Sequence, residues 1–440
     1  MSRICVVGSW HLAAVMSACF ADVGHKMQGV DDNVDAIDSL AQGSPTVFEP
    51  KLKSILTRNI KEGRLAFTTD FQQALKGVSI VFLAIDTPIT AEGVNLTPIW
   101  NAARKIAASA RQPYILVVTS QVPVGTCEMI SNLANEANPQ VQCDVVCNPE
   151  FLRLGTAIDL FRHPDRIILG AARIEPAKQV ASIYKPFRRP VLFMSLREAE
   201  IVKHATNAYV ANSVSFMGEI SQLCDELGAD AFQVSKALRL DRRIGKYAYV
   251  KPGLGFNGGT VARDVKVLLS LIANVNKEAP LLQAILDVNH RQNCLILERL
   301  KGIFGDVKGL EVGLLGLTYK AHTSTLRNSL TLQIAKQMHD AGMLLKAYDP
   351  IIVADTLDPA YKIRMCQNML ETVEGSDALV IMTDKDEFKQ LKLSDLAKAM
   401  RNRVLVDAVN FFDPQKAVAA GFTYVAIGRG FKWLSAPFQN

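Results

Sequence analysis

The 440-residue sequence has no CxxC pair, no block of like charges and no long apolar run. Each absence removes a class of function. The net charge of +6 is spread along the chain, so there is no basic arm and nucleic-acid binding is not expected. A mildly basic surface suits an anionic substrate such as a nucleotide. The longest apolar stretch, "HLAAVMSACFA", ends at Asp22 and is far shorter than the roughly 20 residues that cross a bilayer. No membrane association is expected. The opening "MSRICVVGSWHL" enters a strand pattern at once, without the basic region, apolar core and small-residue cleavage site of a signal peptide. Cys5, Cys19, Cys127, Cys143, Cys147, Cys224, Cys294 and Cys366 lie mostly in apolar or helical surroundings. Their spacing builds neither a zinc site nor a disulfide framework, so the expectation is buried thiols in a reducing cytoplasm, with no metal.

What is there is the composition of a folded protein, with 49% hydrophobic and 21% charged residues. A chain this long exceeds a single core, and two or three domains are expected. The first is announced by "RICVVGSWHLAAVMSACFADVGHKMQGVDD". It spells strand, Gly8 turn, apolar helix, Gly24 stop, second strand and Asp31. That is the order of a dinucleotide-binding unit: glycine for the tight turn, a helix N-terminus for the pyrophosphate, an acid for the ribose diol. The glycine fingerprint is incomplete, because Trp10 and Ala13 stand where the second and third glycines belong. On this motif alone, cofactor binding and a plain α/β turn are equally good readings. Asp31 favours NAD over NADP, since its charge repels a 2′-phosphate.

The pattern recurs in "LEVGLLGLTYKAHTSTLRNSLTLQIAKQMHDAGMLLKAYDP", with Gly316 at the turn and Asp349 after the second strand. Further strands at "DALVIMT" and "RVLVDAV" predict a second parallel sheet. Between the two units lies a segment whose Ser195 and Glu198 form a capping box, uninterrupted by glycine or proline until Gly218. A helix over 196–227 is expected, roughly 45 Å long. Its apolar content calls for cover, and a connecting helix that also makes a dimer is the natural reading. Lys203 and Asn207 share one face of it; helical spacing alone makes such a pair a solvated stripe. The fold class is α/β, with two Rossmann-like, doubly wound parallel-sheet domains joined by a long central helix. The expected parts are residues 1–194, 195–300 and 301–440.

Ordered motifs then carry a resemblance. "VFEPKL", "DTP" (86–88), "VPVGT" (122–126), "NPEFLR" (148–153), "HPDRIILG" (163–170), "AEIVKHATNA" (199–208), "PGLGFNGG" (252–259), "GLTYKAHTSTLRNS" (316–329) and "FDP" (412–414) follow one another along the chain. In order and spacing they resemble the UDP-glucose/GDP-mannose dehydrogenases over essentially the whole length. The resemblance implies an N-terminal NAD domain, a dimerising central helix and a C-terminal nucleotide-sugar domain. It implies two NAD-linked oxidations of a sugar C6 alcohol, the second through a cysteine thioester that water hydrolyses.

Carried over position by position, it implies cofactor contacts from Gly8, Trp10, His11, Leu12, Asp31, Thr87, Pro88, Ser120, Gln121 and Arg327. Substrate contacts are implied for Glu150, Phe151, Leu152, Arg153, Leu154, Lys203, Asn207, Arg243 and Tyr249. Gly253, Gly255, Gly258 and Lys320 complete that set. Lys203, Asn207 and Asp264 are implied to hold a water and to stabilise the oxyanion during alcohol oxidation. Four positions depart from the pattern. Thr260 in "GFNGGTVARDV" stands in the nucleophile's place, and a one-residue shift puts Val261 there instead. Leu154 replaces the implied base, and Gln121 replaces a threonine beside the catalytic water. Val409 in "DAVN" replaces an arginine implied to bind nucleotide.

A thiol is a good nucleophile near neutral pH, whereas a hydroxyl needs an added base. The first reading is therefore an NAD-dependent oxidoreductase of the UDP-glucose 6-dehydrogenase type that stops at the carbonyl, serving polysaccharide synthesis. Two alternatives stay open: a nucleotide-sugar-binding protein without turnover, and a redox-neutral epimerase that retains NAD.

Overall fold

The computed structural model describes residues 2–90, 93–256, 259–318, 324–326, 329–352 and 356–430. The chain divides into two compact units, Met1–Thr206 and Asn207–Asn440. In the first, β1 (Arg3–Val7), β2 (Lys26–Val30), β3 (Leu65–Thr68) and β4 (Ile80–Leu83) come in quick succession. A short antiparallel pair, β5 (Ile89–Thr90) and β6 (Gly93–Val94), precedes β7 (Tyr114–Val118) and β8 (Cys143–Cys147). The unit's sheet closes with β9 (Ile167–Ala171) and β10 (Val191–Met194). The order across the eight-stranded sheet is β10-β9-β8-β7-β4-β1-β2-β3. All neighbours are parallel except β8 and β9. The intervening segment, with its helix Ala157–Arg162, reverses the chain there.

A strand buried on both faces reads as a continuous apolar run, and "ICVV" within β1 is one. Its alternate side chains feed two cores: Ile4 and Val6 one, Cys5 and Val7 the other. In the first of these cores Phe20 meets the rings of Phe82, Phe161, Tyr184 and Phe187 with centroids 5.0–6.1 Å away. Such contacts each add about 0.5–1.5 kcal/mol beyond simple burial.

The second unit holds β11 (Glu311–Leu315), β12 (Leu344–Tyr348), β13 (Ile363–Met365), β14 (Ala378–Ile381), β15 (Val404–Asp407) and β16 (Thr423–Ala426). Their order is β13-β12-β11-β14-β15-β16, parallel throughout. The long helix spans Leu196–Leu227, as its pattern predicts. The capping box is formed: the Glu198 carboxylate accepts the Ser195 N–H at 2.7 Å, and Ser195 Oγ accepts that of Glu198 at 3.3 Å.

Candidate active site

Gly8 follows β1 with φ +133°, and a Cβ there would stand 2.5 Å from the Ala84 carbonyl oxygen. Only glycine fits that close approach. The helix His11–Asp22 begins three residues later, with no acid in its first turn and no side chain capping it. Its first N–H groups and dipole therefore favour an anion. Trp10 is the N-cap residue and half-buried, and Leu12 is half-buried in the first turn. Asp31 follows β2, half-buried, and accepts the Asn33 N–H at 2.9 Å. The ends of β4 and β7 are stitched together nearby. Ser120 Oγ accepts the Ile85 N–H at 2.8 Å, and Thr87 Oγ1 donates to the Gln121 carbonyl at 2.8 Å. Half-buried Pro88 follows Thr87. His11 is buried, its Nε2 2.9 Å from the Glu49 carboxylate.

The long helix anchors one motif after another. Glu200, buried, accepts the N–H groups of Gly125 at 2.6 Å and Cys127 at 2.8 Å, capping the helix Thr126–Ala137. Lys203 donates to the backbone carbonyl of Glu150 and lies 3.1 Å from its carboxylate, with the Phe151 ring 5.1 Å away. His204 Nε2 lies 2.9 Å from the Val122 carbonyl. Asn207 donates to the Asp264 carboxylate. Residues 200, 203, 204 and 207 share one helical face. This corrects the solvated stripe that helical spacing suggests: Lys203 is 6% exposed, because the strand-end segment carrying Glu150 and Phe151 packs over it. Beyond Glu150, Leu152 donates its N–H to the Glu150 carboxylate, Arg153 is exposed and Leu154 half-buried.

In the second unit Asp264 is fully buried, and Arg263 Nε lies 3.9 Å from its carboxylate. Thr260 is the first residue of the helix Thr260–Asn274 and is exposed. The preceding loop is held from the helix Pro280–Phe304. Asn289 accepts the Phe256 N–H at 2.7 Å and donates to its carbonyl at 2.8 Å. Gly255, at φ +96°, is required because a Cβ would meet Asn289 Oδ1 at 2.5 Å. Gly253 has open space around it. Arg243 lies at the surface, forked onto Asp241 at 3.0 and 2.7 Å, and Tyr249 is partly exposed. Gly258, Lys320 and Arg327 lie outside the described residues.

The second strand–glycine–helix unit differs from the first in its acid. Asp349 is buried and spent on structure: it accepts the N–H groups of Leu317 at 2.7 Å and Thr318 at 3.2 Å, and pairs with buried Lys385 at 2.6 Å. Several cysteines are held protonated by burial. Burial pushes the Cys19 thiol up to about 12 and Cys143 to about 11, and raises Cys224 as well. A thiol held protonated is inert. Sequence reasoning assigned no role to Glu49, Glu200, His204 or Asn289. Glu49, Glu200 and His204 sit inside recognisable motifs and Asn289 sits in none, but a lone polar residue in an apolar segment does not reveal its partner.

Comparison with known proteins covers the same ground. The UDP-glucose/GDP-mannose dehydrogenase family models match in three parts: the NAD binding domain at residues 2–188, the central domain at 197–291 and the UDP binding domain at 313–414. The UDP-glucose 6-dehydrogenase YwqF of Bacillus subtilis is 33% identical over 433 residues, covering 97% of this chain and 98% of that one. A UDP-glucose 6-dehydrogenase of Rhizobium meliloti is 32% identical, covering 97% and 99%. The structure of a UDP-glucose dehydrogenase from Pyrobaculum islandicum superposes with a TM-score of 0.89 at 29% identity, over 97% of each chain.

Proposed function

The chain belongs to the UDP-glucose/GDP-mannose dehydrogenase family, and on that premise we propose that it oxidises one alcohol of a nucleotide sugar and releases the carbonyl product. That it is a nucleotide-sugar dehydrogenase with NAD as cofactor follows from the family. The residues present fit that cofactor: a tight glycine turn, an acid-free helix N-terminus and Asp31 at the strand end. NAD supplies the hydride acceptor. We assign residues 1–194 to the cofactor, 195–300 to catalysis and dimerisation, and 301–440 to the nucleotide sugar. The substrate is a UDP-hexose, and the enzyme works as a cytoplasmic homodimer.

The observation that carries this reading is a selective retention. Lys203, Asn207 and Asp264 are all present, and Lys203 and Asp264 are buried. A buried ammonium stabilises negative charge developing on the substrate oxygen far better than water does. The Asp264 carboxylate fixes the Asn207 amide by accepting its N–H. Binding alone requires none of this. At the three positions implied for trapping and hydrolysis stand Thr260, Leu154 and Gln121. The Thr260 hydroxyl has no histidine in its loop to take its proton.

Incubation with UDP-glucose and NAD is expected to yield one NADH per sugar and an aldehyde or its hydrate, with no adduct in the intact mass of the protein. Two NADH and a uronic acid would refute the single oxidation. Retained NAD without net NADH would mark the epimerase, and sugar binding without either would mark the protein that has lost turnover. Thr260→Cys should gain a trapped adduct, with full turnover still prevented by Leu154 and Gln121.

A further inference from the structure

Glu49 is almost fully buried, its side chain 1% exposed, and it serves two separate segments of the first unit. One carboxylate oxygen accepts the Gly155 N–H at 2.8 Å and lies 2.9 Å from His11 Nε2; the other accepts the Ala157 N–H at 2.8 Å. Gly155 and Ala157 open the helix Ala157–Arg162, whose own N-cap residue, Thr156, makes no capping bond. His11 is the first residue of the helix that follows the Gly8 turn. A carboxylate taken out of water costs several kcal/mol unless its lone pairs are satisfied. Here they are satisfied by donors from both segments. Loop 150–156 is thereby gripped at both ends, by Lys203 at Glu150 and by Glu49 at Gly155. The Glu49 grip is shared with the turn at His11.

We propose that Glu49 is a positioning residue that couples the cofactor turn to loop 150–156, so that cofactor and nucleotide sugar strengthen each other's binding through it. This rests on the reading of those segments as cofactor and substrate contacts. If either ligand shifts or rigidifies its own segment, the shared carboxylate transmits the change to the other. Thermodynamic reciprocity makes the effect the same in both directions.

The test titrates full-length protein with NADH, with and without saturating UDP-glucose, a pair that cannot turn over. UDP-glucose should tighten NADH binding at least about fivefold. Glu49→Gln keeps the shape but sets an NH2 group against a backbone N–H, and should bring that factor close to one. His11→Gln should do the same, and the double variant should be no worse than either single one. Lys51→Ala, which removes only the exposed Lys51–Asp159 pair beside it, should leave the factor intact. A purely structural Glu49 would lower the melting temperature and leave the factor unchanged, and that result overturns the proposal. A native protein that binds both ligands with a factor of one overturns it too. Should Glu49→Gln fail to fold, His11→Gln carries the same comparison. If the native protein binds neither ligand, the functional reading fails and the coupling with it.

Discussion

An ammonium removed from water is costly unless it is paired and hydrogen-bonded, and Lys203 is both. Its Nζ meets the backbone and the carboxylate of Glu150 while the Phe151 ring shields it. Lys203→Met should therefore lower kcat by about 10²–10³-fold, the usual cost of removing a preorganised donor, with NADH affinity retained. Steady-state rates beside a fluorescence titration would separate the two; an unchanged kcat would remove Lys203 from the chemistry. His25 illustrates a different residue-scale effect. Burial lowers its pKa from the ordinary 6.5. Its Nδ1 accepts the Ser2 N–H at 3.3 Å while Nε2 faces the Ile183 carbonyl at 3.1 Å. That pattern suits the neutral ring, since a protonated Nδ1 cannot accept. With the folded value below the unfolded one, the unfolded chain binds more protons in the window between them. The stabilisation is thus present above about pH 6.5 and lost as pH falls through the folded value. Melting curves between pH 7.5 and 5.5 should show a smaller loss in His25→Gln than in the native protein.

At the scale of the element, the long helix has two kinds of surface. One face carries Glu200, Lys203, His204 and Asn207, each spent on a named partner. Elsewhere Tyr209, Phe216 and Leu223 recur every seven residues and are 72%, 47% and 53% exposed, with Leu227 at 71%. A seven-residue apolar repeat is the stripe by which one helix packs against another. A stable pair of chains commonly buries about 800 Å² on each side. The protein should therefore sediment as a dimer or larger at micromolar concentration, and Phe216→Glu with Leu223→Glu should give monomer. A native protein that sediments only as monomer would count decisively against this assignment of the stripe.

Across the whole molecule, one strand order is used twice, but only one copy spends its acid on a buried ion pair. Asp31 remains half-buried after β2, whereas Asp349 after β12 is locked to Leu317, Thr318 and Lys385. Breaking that buried pair would cost about 3–5 kcal/mol, more than a ribose hydroxyl can repay. Equilibrium dialysis should accordingly find one NADH per chain. NADPH should bind more weakly, because a 2′-phosphate meets the charge of Asp31. A second NADH equivalent, or equal affinity for NADPH, would contradict this.

Much of this was written in local patterns. Alternation of apolar runs and glycine turns predicts both sheets, and the Ser195–Glu198 capping box predicts the start of the long helix, because these depend on neighbours in sequence. The residues in the place of cysteine, glutamate and threonine at 260, 154 and 121 are likewise legible without coordinates. Other features depend on partners far along the chain. Nothing local tells Asp31 from Asp349, since the difference is Lys385, 36 residues away. Nothing local buries Lys203 or gives Glu49 its three partners, the farthest 108 residues distant. Strand and helix signals arise from short-range backbone geometry, whereas the fate of a charge depends on which loops fold over it. The sequence by itself determined the elements and the chemical inventory; tertiary packing decided which of those charges are buried, paired and available for work.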